Sequence, residues 1–176
     1  HQSVVQREGR AIMVLTTHQK TGGINGKGYV WTNDHVWTPD IPEIPVSILP
    51  LIYYRNWMGE KPVDLRDKQV IVSLRGDGLE LEGAECFFWV VCGMTRWHLN
   101  SEPIEIKEGA WPTSPTKIHL ANDEKFWHRS WSKDPSKPTS LDDCLKNCVS
   151  YGFSFVGFTK AVRGKLSLGG FKIEST

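Results

Sequence analysis

Two apolar runs joined through a short turn constrain this chain more than any other feature. Residues 68–77, KQVIVSLRGD, alternate between apolar and polar positions, which is typical of a strand with one buried face. Residues 84–92, AECFFWVVC, are almost continuously apolar, which indicates a central strand buried on both faces. Together they predict a core built from β-sheets.

Shorter β-rich segments, broken by 16 Gly and 10 Pro, fill most of the remaining sequence. The only strong helix pattern follows Ser140, a favoured N-cap residue, and can end at Gly152. The sequence therefore predicts an all-β fold, an antiparallel two-sheet β-sandwich (jelly roll) with one short helix near 140–150. One domain over 1–176 is expected, with a loop-rich segment at about 18–47.

Charge and hydropathy exclude several classes of partner. The 176 residues carry 21 Lys and Arg against 20 Asp and Glu, a net charge of +1, so we expect no nucleic acid binding. No apolar run reaches the about 18–20 residues that cross a bilayer, so no membrane insertion is expected. No signal peptide is recognisable, which is compatible with a leader that has already been removed.

The four cysteines are predicted to be thiols. Cys86 and Cys92 share the parity of one strand and lie too far apart on it to bond. Cys144 and Cys148 lie four apart on the predicted helix, where their side chains project in parallel. CxxC spacing is absent, so no structural zinc is expected. Reduced thiols favour assembly in the cytoplasm.

Two segments resemble the galactose-binding-like β-sandwiches, which include many carbohydrate-binding modules. Residues 64–90 match their pattern of an alternating strand, a turn and a second strand, and residues 140–174 match their closing helix, strand and final strand after a glycine. The resemblance implies a carbohydrate ligand and an extracellular, cell-surface or virion location. Family members often hold calcium through an acidic residue before the last strand. Gly169 and Gly170 stand there in this chain, so calcium is not predicted.

The aromatic residues are the candidate ligand contacts, because Trp rings stack on sugars and anchor protein interfaces. Trp89 lies inside the buried run and is assigned to the core. The stretch 123–132, DEKFWHRSWS, is predicted to place Trp127 and Trp131 on one face in either a strand or a helix. A Trp–Arg–Trp row through Arg129 braces a loop or contacts a ligand, and the sequence leaves both open. The other candidates are Trp31, Trp37, Tyr54, Trp57, Trp97 and Trp111.

The sequence thus favours a non-catalytic carbohydrate-binding or adhesion module with a carbohydrate or protein surface as its partner. The predicted contacts are Asn33, Trp37, Arg96, Trp97, Trp127, Arg129 and Trp131. A structural or oligomerising protein without a ligand is the alternative.

A copper enzyme is the third interpretation. Copper-dependent lytic polysaccharide monooxygenases begin with a histidine whose amino group and imidazole bind copper together with a second histidine. His1, with His98 or His128, satisfies that ligand count. Hydrolysis is not favoured, since no catalytic carboxylate pair or nucleophile elbow is evident, and no catalytic residue is predicted.

Overall fold

The chain forms two packed β-sheets and a separate hairpin, as a computed structural model shows. The structure describes residues 2–7, 10–40, 45–55 and 59–176, with side chains from Thr16 onward in those ranges. The strands are β1 Gln2–Arg7, β2 Arg10–Leu15, β3 Thr17–Gln19, β4 Tyr29–Asn33, β5 Thr38–Pro39, β6 Ser47–Tyr54, β7 Lys68–Glu80, β8 Glu85–Cys92, β9 Thr95–Leu99, β10 Lys107–Glu108, β11 Thr116–His119, β12 Trp127–Ser132, β13 Ser150–Val156 and β14 Arg163–Ser175.

Sheet I has the strand order β10-β7-β14-β4-β3, with β11 also paired to β7, and sheet II has the order β12-β9-β8-β13-β6-β5. Pairing in both sheets is antiparallel except for the short β10–β7 contact. The hairpin β1–β2 places β2 beside β5 and β6. The predicted all-β sandwich is confirmed. None of the helices in the described ranges is long and apolar enough to cross a membrane.

The core lies between the sheets because alternate positions of each strand face inward. Val70, Val72 and Leu74 of β7 are buried, as the alternation of residues 68–77 predicts. Phe88 and Val90 of β8 meet them from sheet II. β8 is a central strand whose other face is also buried, so the prediction for residues 84–92 is confirmed.

The predicted helix is real but shorter than expected. α1 spans Leu141–Lys146, and the Ser140 hydroxyl accepts a hydrogen bond from Asp143 N at 3.2 Å, as an N-cap does. The chain leaves helical geometry at Asn147, and Cys148 pairs with Val63 through backbone hydrogen bonds. Gly152 therefore lies within β13 and does not end the helix.

The end of the chain is one long strand, although its sequence favours two short strands, 164–168 and 171–174, on either side of Gly169 and Gly170. β14 is one strand of 13 residues, and its register shifts between Leu168 and Gly170. Such a bulge keeps the strand paired while adding one residue, so a glycine here does not mark a turn.

Candidate functional site

Five of the predicted contact residues lie on β9 and β12, which pair at one edge of sheet II. Trp127 lies opposite Leu99, and Trp131 lies opposite Arg96. Opposite residues share a face, and residues 96 and 99 of one strand point to different faces. The two tryptophans therefore lie on opposite faces of β12. The prediction of a shared face is wrong because the register shifts between Arg129 and Trp131.

Trp97 and Trp127 point into the core. They are 6% and 5% exposed, and each indole donates to a backbone oxygen, Trp97 Nε1 to Thr139 O at 3.2 Å and Trp127 Nε1 to Ala121 O at 2.7 Å. Stacking a ligand on either ring would require the ring to leave the core. Arg129 is exposed, and Trp131 is half-buried.

Arg96 points to the outer face of sheet II and forms a buried ion pair with Asp40. Ser47 donates to Asp40 Oδ2 at 3.0 Å, and Arg96 Nε donates to the Ser130 hydroxyl at 3.2 Å. The guanidinium carbon lies 5.7 Å from the centroid of the Trp89 ring. The guanidinium thus connects β9 with β12, through Ser130, and with Asp40, the residue that follows β5.

His98 lies beside Arg96 on the same outer face and opposite His128. Burial, together with the positive charge of Arg96, lowers the pKa of His98 to about 3, and its Nε2 has no hydrogen-bond partner. His128 is exposed. His1 and Trp57 lie outside the described residues, within which no cluster of three or more His, Cys, Asp or Glu side chains suits a metal ion. The copper interpretation stays a prediction.

The remaining two predicted contacts, Asn33 and Trp37, lie away from β9 and β12. Trp37 packs edge-on against Phe155 at 5.3 Å and lines a cleft of about 230 Å³ together with Asp34 and Arg163. Its Nε1 is buried without a partner. Asn33 ends β4 on the outer face of sheet I, opposite Lys165.

The outer face of sheet I carries a second group of aromatic and cationic side chains. Tyr29 and Trp31 lie two residues apart in β4 and therefore share this face. The Trp111 ring packs edge-on against the Tyr29 ring, with the two centroids 5.3 Å apart. The guanidinium carbon of Arg75 lies 5.9 Å from the centroid of the Trp111 ring. We call Tyr29, Trp31, Arg75, Trp111 and Lys165 the aromatic face.

Cross-strand register brings these residues together. Ser167 of β14 lies opposite Trp31 on one side and opposite Arg75 on the other. Lys165 lies two residues before Ser167 in β14 and therefore on the same face, with its Nζ 5.1 Å from the centroid of the Trp31 ring. The Ser167 hydroxyl beneath them is buried and has no partner. All five members of the aromatic face are partly exposed.

Trp111 is held on this face by two features. Its Nε1 donates to Gly22 O at 2.9 Å. A Cβ added to Gly169 would lie 2.7 Å from the ring, so the absence of a side chain there lets the indole lie against β14. Gly169 thus makes room for an aromatic ring on this face of the sheet.

Sequence reasoning named Trp31 and Trp111 as candidates but did not place them together. The parity of Tyr29 and Trp31 in one short strand is the sequence signal that could have placed these two rings on one face. No comparable signal linked Trp111 to this strand, because Trp111 is distant in sequence and reaches Tyr29 by lying over Gly169 of β14.

Comparison with known proteins adds no family to this description. No protein-family model matches the chain, and no curated protein matches it.

Proposed function

We propose that this protein is a non-catalytic carbohydrate-binding module of the galactose-binding-like type that binds glycans on the aromatic face of sheet I. The observation that carries the proposal is the position of Tyr29, Trp31 and Trp111 on one face together with Arg75 and Lys165. Aromatic rings receive the C–H faces of a sugar, and the cations donate hydrogen bonds to its hydroxyl groups.

Strand order supports the jelly-roll type. Of the longer strands of the sandwich, β4 pairs with the last strand, β14, and β6 pairs with the one before it, β13. This nested pairing of early strands with late strands is what a jelly roll requires.

Lys165 now lies over Trp31, but it does not block a ligand. A cation–π contact at an exposed site contributes about 0.5–1 kcal/mol. A sugar that stacks on the indole can displace the ammonium at that cost, and the ammonium then remains beside the ligand as a donor. Trp111 is already fixed by Gly22 and Gly169, so little conformational entropy is lost when it is contacted.

Glycan binding followed by tryptophan fluorescence tests the proposal. A panel of neutral and acidic glycans is screened first, and the best ligand is titrated into Trp31→Ala and Trp131→Ala. We expect Trp31→Ala to weaken binding about tenfold or more, which is about 1.4 kcal/mol, and Trp131→Ala to leave it unchanged.

Two results would overturn this assignment. A loss of affinity confined to Trp131→Ala would move the site to the edge of sheet II, and no binding across the panel would remove the carbohydrate function. A change of oligomeric state in Trp31→Ala, measured by light scattering, would instead identify the face as a subunit interface.

A further inference from the structure

Three of the four thiols meet where α1 packs against the ends of β8 and β9. Cys92 ends β8, Cys144 lies in α1, and Cys148 follows the helix, and all three are buried. Cys144 Sγ lies 3.5 Å from Cys92 O and 3.7 Å from Thr95 O. Cys86 lies at the opposite end of β8.

Contacts on the helix and on the segment before it hold Cys144 close to Cys92. Leu141 and Leu145 anchor α1 in the core. Just before the helix, Thr139 N donates to Thr95 Oγ1 at 3.0 Å, which ties the chain to β9. Burial raises the pKa of Cys92, and hydrogen bonding with the Cys144 thiol offsets part of that rise.

We propose that Cys92 and Cys144 are a cross-linking site that closes as a disulfide when the chain folds in the presence of a small-molecule disulfide such as oxidised glutathione. The two thiols lose two protons and two electrons and form the S–S bond, and the oxidant is reduced to two thiols. Cys148 is not the partner, because the Cys92 thiol forms its side-chain hydrogen bond with Cys144, whereas Cys148 Sγ donates to Ser150 O at 3.2 Å.

The order of folding and oxidation matters because the folded thiols are protected. Burial raises the pKa of Cys144, and it raises that of Cys148 to about 12, so neither is a thiolate at neutral pH. Only the thiolate attacks a disulfide. We therefore expect the folded, reduced protein to resist oxidation and the refolding chain to accept it.

Refolding with and without the oxidant tests the proposal on the full chain. Denatured, reduced protein is refolded in glutathione buffer, unfolded again in denaturant that contains excess alkylating reagent, digested without reductant and mapped by mass spectrometry. Before alkylation, we expect the refolded protein to weigh two hydrogen atoms less than the reduced protein. After digestion, we expect a peptide pair that joins Cys92 to Cys144, and alkylated Cys86 and Cys148. A different pair, or four alkylated thiols in refolded protein, would overturn the proposal.

Two alanine variants provide the matched comparison. Cys86→Ala, equally buried but at the far end of β8, should keep the cross-link and the higher thermal midpoint of the oxidised form. Cys144→Ala should lose both. A cross-link that persists in Cys144→Ala would contradict the assignment, and the peptide map of the unaltered chain decides alone if this variant does not fold.

Discussion

The outer faces of the two sheets each carry an arginine–aspartate pair beside a tryptophan, but they differ in exposure. On sheet II the side chains of Arg96 and Asp40 are 5% and 2% exposed. On sheet I those of Arg75 and Asp77 are 28% and 32% exposed. The same chemical groups therefore serve different ends, since a buried pair must be satisfied by the fold whereas an exposed pair remains available to a ligand.

The largest expected effect is on the buried pair. Arg96→Met should lower the free energy of unfolding by about 3–5 kcal/mol, because the Asp40 carboxylate stays buried without its countercharge. Chemical denaturation measures the change. Adding Asp40→Asn to this variant should restore part of the loss, and a double variant no more stable than Arg96→Met would mean that the pair does not dominate this face.

Acid should also destabilise the folded protein, because His98 is buried on sheet II in its neutral form. The folded pKa is about 3, well below the usual value of 6.5. The unfolded chain therefore binds a proton that the folded chain excludes, and stability falls as pH falls from about 6.5 towards 3. At pH 4 this difference in proton binding lowers the free energy of unfolding by about 3 kcal/mol relative to neutral pH.

Denaturation of wild type and His98→Gln at pH 7 and pH 4 isolates this contribution. The variant should lose less stability on acidification than wild type does, because it lacks the titrating imidazole. Equal losses in the two proteins would show that the imidazole is not excluded from protonation in the folded state.

The smallest effect is expected on sheet I. Asp77→Asn removes the carboxylate that accepts from Arg75 Nη2 at 2.8 Å, but both groups keep access to water. The free energy of unfolding should change by less than about 1 kcal/mol. A cost comparable to that of Arg96→Met would show that the two faces do not differ as their exposure indicates.

Local patterns predicted the strands and the helix start but not the faces of the edge strands. The alternation at Val70, Val72 and Leu74 and the cap at Ser140 depend on neighbours in sequence, so both could be inferred. The positions of Trp127 and Trp131 depend on one additional residue in β12, and no sequence signal marks a bulge of this kind.

The buried ion pair and the aromatic face were missed for a related reason. Asp40 and Arg96 are 56 residues apart, and Trp111 lies far from Tyr29 in sequence although their rings are in contact. Such contacts follow from strand order, which a single sequence does not specify. Asn33 was predicted only as a ligand contact, and its position at the end of β4, opposite Lys165, became evident only from the register.

The bulge at Ser130 also affects how the protein behaves among copies of itself. β12 is an edge strand of sheet II, and an unbroken edge offers free backbone groups to another chain. The extra residue interrupts that row, and exposed His128 and Arg129 add polar groups beside it. The opposite edge, β5, is only two residues long and contains Pro39. Neither edge of sheet II is therefore a good template for strand addition by another chain.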